Sequence, residues 1–214
     1  MRHRIVRGKE AALEAGRQFL IEGDPRDNKG KWRELFENNA PIQLEIGSGK
    51  GQFLCTMAQL HPEKNFIACE GIDDVYVRIV EKCTEFDIKN LRIIPCFMDH
   101  STEFFADEEL EKIFINFCDP WPKKRHVKRR LTNRDKLAEY GRILGQGKLI
   151  QFKTDNDDLF DFSLEEIEAV GYEILEITRD LHNSPYENGN VHTEYEEKFS
   201  SKSKSINYVV IKIR

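Results

Sequence analysis

From about residue 40 onward, short apolar runs alternate with longer stretches in which apolar positions recur every three or four residues. The short runs fall at Ile42 to Ile46, Asn65 to Cys69, Leu91 to Phe97, Lys112 to Cys118, Lys148 to Lys153, Tyr172 to Thr178 and Ile206 to Ile213, and predict seven strands. The periodic stretches predict helices near residues 10 to 21, 31 to 37, 51 to 60, 74 to 86, 133 to 144, 157 to 169 and 194 to 200. Strands interleaved with helices predict α/β layering. Asp73 or Asp74 is expected to cap the helix before Val75, and Thr132 or Asn133 the one carrying Leu137, Tyr140 and Leu144, which Gly145 and Gly147 close. The turn-rich stretch from Asp24 to Gly30 predicts a linker, dividing the chain into an N-terminal arm and linker, 1–30, and one domain, 31–214. Leu181 to Val191 predicts a loop, and loops of that length in a domain are often functional.

Charge changes this picture. The chain carries 33 Lys plus Arg against 38 Asp plus Glu, a net charge of −5, which alone argues against a nucleic-acid partner. The mean conceals a segregation. Arg2, Arg4, Arg7 and Lys9 give residues 1–9 four cations and no anion, and residues 123–130 (Lys-Lys-Arg-His-Val-Lys-Arg-Arg) hold six cations and no anion. A focused basic patch on an acidic body is expected where a polyphosphate neutralises it. No apolar stretch has the length of a membrane span, and the charged N-terminus lacks the apolar core of a signal peptide, so a cytosolic location is expected. Cys55, Cys69, Cys83, Cys96 and Cys118 lie at least 13 positions apart with no CxxC pairing and predict buried, reduced thiols, though Cys69 and Cys118 end strands near the expected site. The six histidines show no metal-ligand spacing, and no metal is expected.

Leu44-Glu45-Ile46-Gly47-Ser48-Gly49-Lys50-Gly51-Gln52 reads as a strand, a glycine turn and a helix start, where backbone approaches a ligand closely. The spacing is GxGxG. Gln52 stands where a dinucleotide fingerprint has its third glycine, and the Lys-Ser/Thr of a P-loop is missing, leaving a small adenosyl ligand without a pyrophosphate. Glu70 ends the second strand, where a carboxylate accepts from both hydroxyls of a ribose; a solvated strand end is the alternative. Glu45, inside the first strand, needs a cation, either a protein side chain or a ligand ammonium such as that of S-adenosylmethionine. Cys118-Asp119-Pro120-Trp121-Pro122 follows the fourth strand, and the two prolines are expected to hold Asp119 in one direction.

These motifs, together with Asn116 to Leu131, Phe152-Lys153-Thr154-Asp155-Asn156 and Thr193-Glu194-Tyr195-Glu196-Glu197-Lys198-Phe199, resemble the bacterial tRNA (guanine-N7)-methyltransferase family over nearly the whole chain. The resemblance implies a Rossmann-like class I methyltransferase fold, a seven-stranded, mostly parallel sheet with an antiparallel last strand and helices on both faces. It implies S-adenosyl-L-methionine as donor, tRNA as partner, and methylation of the variable-loop guanosine at tRNA position 46; a monomer and a homodimer are both left open. Carried over, Asp119 is the active-site carboxylate; Glu45, Gly47, Gly49 and Glu70 hold the donor; Lys123, Asp155, Thr193, Glu194, Tyr195 and Glu196 line the substrate pocket; and Arg125, His126, Lys128, Arg129 and Arg130 grip RNA. Many family members place an acidic donor-binding residue two positions before Asp99, where this chain has Phe97, so Asp99 and the Phe97 ring are both candidates for that contact. Without the resemblance, Thr193 with Glu196 reads as a capping box, and Thr154 to Asp158 as a helix start.

Overall fold

The structure, a computed structural model, describes residues 8–199 and 204–214. The apolar runs form β1 (Ile42–Ile46), β2 (Asn65–Cys69), β3 (Leu91–Ile94), β4 (Lys112–Asn116), β5 (Leu149–Thr154), β6 (Glu173–Thr178) and β7 (Asn207–Lys212). They build one sheet in the order β3-β2-β1-β4-β5-β7-β6. The first five pair in parallel, and β7 runs antiparallel between β5 and β6. Strand order reverses between β1 and β4, so the loops leaving these strands diverge and open a crevice at their carboxyl ends.

The helices are α1 (Lys9–Ala15), α2 (Gln52–Leu60), α3 (Asp73–Glu85), α4 (Ser101–Phe104), α5 (Arg134–Leu144), α6 (Asp157–Ala169) and α7 (Glu194–Phe199). The strand pleat sorts side chains between the two faces. Ile42, Leu44, Ile46, Ile113, Ile115, Ile150 and Phe152 pack with Leu137 and Tyr140 of α5 and Leu159 and Phe160 of α6. Phe66, Ala68 and Phe114 pack on the other face with Phe53 and Leu54 of α2 and Ile79 and Val80 of α3. Gly51 starts α2 at φ 75°, and a Cβ there would come 2.8 Å from Ile79, so glycine is required both by backbone conformation and by the approach of α3.

Several elements differ from the pattern-based expectation for local reasons. The helix expected near 10 to 21 ends at Ala15; Gly16 lies so close to α3 that a Cβ would meet Val80 at 2.2 Å, and the chain turns through Arg17–Phe19 to lay Leu20 beside Ile93. The stretch 31 to 37 forms a 3-10 helix, Trp32–Phe36, rather than an α-helix. β3 stops at Ile94, before Pro95, and β4 stops at Asn116 because Phe117 adopts φ 51°. Asp73 and Asp74 form the first turn of α3 rather than capping it, and the short α4 has no counterpart in the apolar pattern. Asn133 caps α5, accepting from the Asp135 N–H at 3.0 Å.

Residues 9–30 pack on the body. Lys9, one of the four cations of the N-terminal basic stretch, pairs with Asp73 and Asp74 at 2.7 and 3.0 Å. Gly30 and Trp32 donate their N–H groups to Glu109, and the buried Trp32 indole donates to the Phe104 carbonyl at 2.8 Å. Arg2, Arg4 and Arg7, and the last residue of the helix expected at 194 to 200, lie outside the described residues.

Candidate active site

Alternation places Glu45 of β1, Asn116 of β4 and Lys153 of β5 on the α2–α3 face of the sheet, at the carboxyl ends of its central strands; Asn116 and Lys153 are partners in register. Glu45 is 2% exposed and its Oε1 accepts from the Asn116 amide at 2.7 Å. Glu45 Oε2 and Asn116 Oδ1 are buried and have no hydrogen-bond partner among the described residues. Burial pushes the Glu45 carboxyl up to about 8, against the pull of the Asn116 amide and the Lys153 cation. Two orphaned acceptors in an apolar setting call for a cationic donor.

Around this pair the glycine turn is tied down by its own backbone. The N–H groups of Gly47 and Ser48 donate to the Cys69 carbonyl, and Ser48 Oγ donates to the Glu45 carbonyl at 3.0 Å. Gly47 and Gly49 hold φ 78° and 55°, and a Cβ on either would enter open space, so the turn leaves room for a ligand against its backbone. Glu70 Oε2 accepts from the Gly49 N–H and Oε1 from the Ile72 N–H, both at 3.0 Å, which aims the carboxylate across the turn. Beyond Glu70, the Phe97 ring covers Gly71, where a Cβ would meet it at 2.6 Å, and remains 69% exposed. Phe97 and the exposed Asp99 share a cleft of about 550 Å³ with Pro25, Arg26, Cys96 and Phe104.

The loop after β4 is strained on either side of Asp119. Phe117 and Trp121 hold φ 51° and 42°, a region costly for non-glycine residues and found where a site needs it. Arg130 clamps the loop, its Nε donating to the Pro120 carbonyl at 3.0 Å and Nη2 to the Trp121 carbonyl at 3.3 Å. The exposed Asp119 carboxylate makes no hydrogen bond or ion pair among the described residues.

The Phe117 ring packs against Tyr195 with centroids 4.6 Å apart. The Tyr195 hydroxyl donates to Asp155 Oδ2 at 2.8 Å, as does Lys204. Burial raises the Asp155 carboxyl, but Lys204 and the Tyr195 hydroxyl outweigh it and leave the group below its usual range. Burial and Asp155 push Tyr195 up to about 12. Glu194 pairs with Lys50 of the glycine turn at 2.7 Å, so the segment carrying Glu194 and Tyr195 touches both the glycine turn and the Asp119 loop.

The basic run is a 3-10 helix, Lys124–Arg129. Lys123, Lys124, Arg125 and Lys128 are exposed, Arg129 lies over the Trp121 ring at 4.9 Å, and His126 meets that ring edge-on.

A family model described as "Putative methyltransferase" matches residues 39–209. The chain is 46% identical over 210 residues to the tRNA (guanine-N(7)-)-methyltransferase of Lachnoclostridium phytofermentans, covering 98% of this chain and 97% of that one. It is 48% identical to the tRNA (guanine-N(7)-)-methyltransferase of Geobacillus thermodenitrificans, covering 88% and 87%. The chain belongs to the tRNA (guanine-N(7)-)-methyltransferase family. Its fold matches the 16S rRNA methyltransferase KamB at a TM-score of 0.65 with 10% identity, over 86% of this chain and 93% of that one.

For this tRNA methyltransferase family member, the structure gathers Glu45, Gly47, Gly49 and Glu70 at one side of the crevice and Asp155, Glu194 and Tyr195 at the other, with Asp119 on the loop between them. Three expected residues have other partners. Thr193 Oγ1 accepts from the Glu196 N–H at 3.1 Å and Glu196 Oε2 accepts from the Thr193 N–H at 2.8 Å, a complete capping box with both side chains buried. Arg130, expected to grip RNA, holds the Asp119 loop and lies over the Phe162 ring at 4.3 Å. Asn116 and Lys153, not singled out from the sequence as site residues, complete the polar row. Burial pushes the Cys69 thiol up and Cys118 up to about 12, so neither offers a thiolate. Two histidines far apart in any ligand spacing are brought together: the His182 and His192 rings stack at 5.2 Å, and Glu187 bonds His192 Nε2 at 2.6 Å. Among the described residues, no helix is long and apolar enough to cross a membrane.

Proposed function

We propose that this protein transfers the methyl group of S-adenosyl-L-methionine to N7 of a guanosine in tRNA, the variable-loop guanosine at position 46, in the cytoplasm. The observation that carries the reading is the meeting of two half-sites at one crevice: a buried, half-satisfied Glu45–Asn116 pair under a glycine turn, and a strained loop that packs Phe117 on Tyr195 and presents Asp119, unpaired among the described residues. The donor fits the first half-site. Its ammonium satisfies the orphaned Glu45 and Asn116 oxygens, Glu70 accepts from its ribose hydroxyls, Gly47 and Gly49 permit close approach, and the Phe97 ring, with Asp99 in the same cleft, offers a surface to its adenine.

When bound, the donor supplies an electrophilic methyl group on a sulfonium. Guanine N7 carries an in-plane lone pair and no proton, so no side chain has to remove a proton before transfer, and positioning dominates. Asp119 accepts from the guanine N1–H and exocyclic amine, and the same fixed carboxylate favours the positive charge that passes to the base. Tyr195 and Asp155 form a wall of the base site, with Glu194 and Lys123 at its edge. Labelled donor and unmodified tRNA test the reading: chain scission at 7-methylguanosine is expected at one variable-loop guanosine. Methylation of another atom rejects it.

Phosphate contacts are assigned to Lys123, Lys124, Arg125, Lys128 and Arg129, which position the RNA rather than specify its sequence. Replacing Lys124 and Lys128 together by Ala is expected to weaken tRNA binding and to reduce the slope of log K against log salt by roughly 0.9 for each phosphate that is no longer neutralised. Arg130→Ala is expected to leave that slope in place and lower the rate, because its guanidinium faces the Pro120 and Trp121 carbonyls. A salt titration by filter binding checks both, and an unaltered slope in the double variant removes these lysines from the interface.

A further inference from the structure

We infer that Lys153 is a positioning residue that holds the base-binding half of the site in place through Glu196 while facing the donor half through Asn116 and Glu45, an inference that rests on the proposed guanine-N7 methylation. Lys153 is 0% exposed, and its Nζ donates to Asn190 Oδ1 at 2.5 Å, to the Val191 carbonyl at 3.0 Å and to Glu196 Oε2 at 3.3 Å. Three acceptors use the three protons of an ammonium, so the geometry holds the lysine charged although burial pushes it below its usual range. All three acceptors lie within residues 190–196, the stretch that carries Glu194 and Tyr195.

Glu196 is equally constrained. It is fully buried, receives the Thr193 N–H on Oε2 and the Asn190 amide on Oε1 at 3.3 Å, and lies 3.5 Å from His182 Nε2. Apolar residues of similar volume often stabilise a core as well as a buried ion pair does, whereas a charge pair with every polar atom engaged selects one arrangement. The arrangement selected here sets where the Tyr195 ring meets Phe117 and where its hydroxyl meets Asp155, two residues along the chain from Lys153.

The same cation bears on the donor half. Lys153 lies beside Asn116 in the β4–β5 register. The charged groups facing Glu45 are Lys153 from β5 and Glu70 from the end of β2, with Asn116 and Ser48 as hydrogen-bonding neighbours. Removing the lysine charge therefore takes away an influence that favours ionised Glu45, and with it the form that receives an ammonium.

The test compares wild type with Lys153→Met, which keeps an unbranched side chain out to the ε position without the ammonium, and with Asn190→Ala, at a half-exposed loop position. Guanine-N7 methylation of tRNA is measured alongside donor binding by equilibrium dialysis between about pH 6 and pH 9. The value of kcat/KM for tRNA is expected to fall about 100-fold in Lys153→Met and about tenfold in Asn190→Ala, the scale of loss that small misplacements of reacting groups produce. Donor affinity at the upper end of that range should stay within about threefold for both variants, while the pH at which binding fails on acidification rises in Lys153→Met alone. Wild-type methylation in the same assay tests the underlying function separately: its absence rejects that function and the inference together. An active wild type with Asn190→Ala within about threefold of it overturns the positioning role, as does an unmoved acid limb in a folded Lys153→Met. If Lys153→Met does not fold, Asn190→Ala decides.

Discussion

Asp119→Ala is expected to lower kcat for guanine-N7 methylation about 10³-fold at saturating donor and tRNA, the upper range for removing one preorganised electrostatic group from a site. The expectation comes from how the loop is built. Phe117 and Trp121, on either side of Asp119, sit in left-handed backbone conformations, and Arg130 grips two carbonyls of the same loop. Strain of this kind persists only where surrounding contacts over-determine it, and its product here is a carboxylate in a fixed place with no protein partner among the described residues. A general base is not the role, because N7 has no proton to lose. The two remaining roles, orienting the base and countering its developing charge, separate in a cycle with tRNA carrying inosine at the target position. Inosine lacks the exocyclic amine, so it should slow wild type more than Asp119→Ala if the carboxylate orients the base, and both equally if it acts by charge alone. A single-turnover rate for Asp119→Ala within about tenfold of wild type would falsify either role.

The strand pattern, the glycine turn and the odd carboxylate in an apolar strand are all legible in the sequence, because each is written in adjacent residues. Ile-Gln-Leu-Glu-Ile says that Glu45 shares a face with Gln43 and has apolar neighbours on either side; it does not say what stands across from it. That depends on which residue of β4 meets β1 and which of β5 meets β4, a register set by distant packing, so Asn116 and Lys153 become visible only in the folded sheet. The same limit applies to the basic run. Six cations in eight residues read as one patch, yet the tight 3-10 turn sends Arg130 inward to the loop and leaves Lys124 and Lys128 outside. Thr193 and Glu196 show the converse: local spacing correctly indicates a capping box, beside the substrate-pocket role that the family resemblance implies. The structure gives them the cap and adds a buried lysine that spacing does not reveal.

Glu45→Gln should have opposite effects on the free protein and on donor binding. Burial holds the Glu45 carboxyl near 8 in the folded protein, above the ordinary glutamate value. A carboxyl whose folded pKa is raised contributes most below its unfolded pKa, and that contribution is lost as pH rises through the folded value. Between about pH 4.5 and pH 8 the free protein therefore gives up stability on the order of 5 kcal/mol at this one residue. Glutamine keeps the shape and an oxygen acceptor for the Asn116 amide but never ionises, so Glu45→Gln should raise the Tm of the donor-free protein near pH 8.5 and change it little near pH 5. Donor binding should respond in reverse. A wild-type acid limb is expected near pH 8, because below it the ammonium has to displace a proton; the donor's own α-amino group, titrating at about 7.7–8.0, sets the alkaline limb. Glu45→Gln should bind the donor at least about 100-fold more weakly and lose the acid limb, since no carboxylate remains to be unmasked. Calorimetry in buffers of different ionisation enthalpy reads the proton directly: release on donor binding at about pH 7 in wild type and less in the variant. Equal proton release in the two proteins would assign the linkage to another group. The stabilised, non-binding variant would show that the core tolerates this carboxylate at a cost to stability because the ligand uses it.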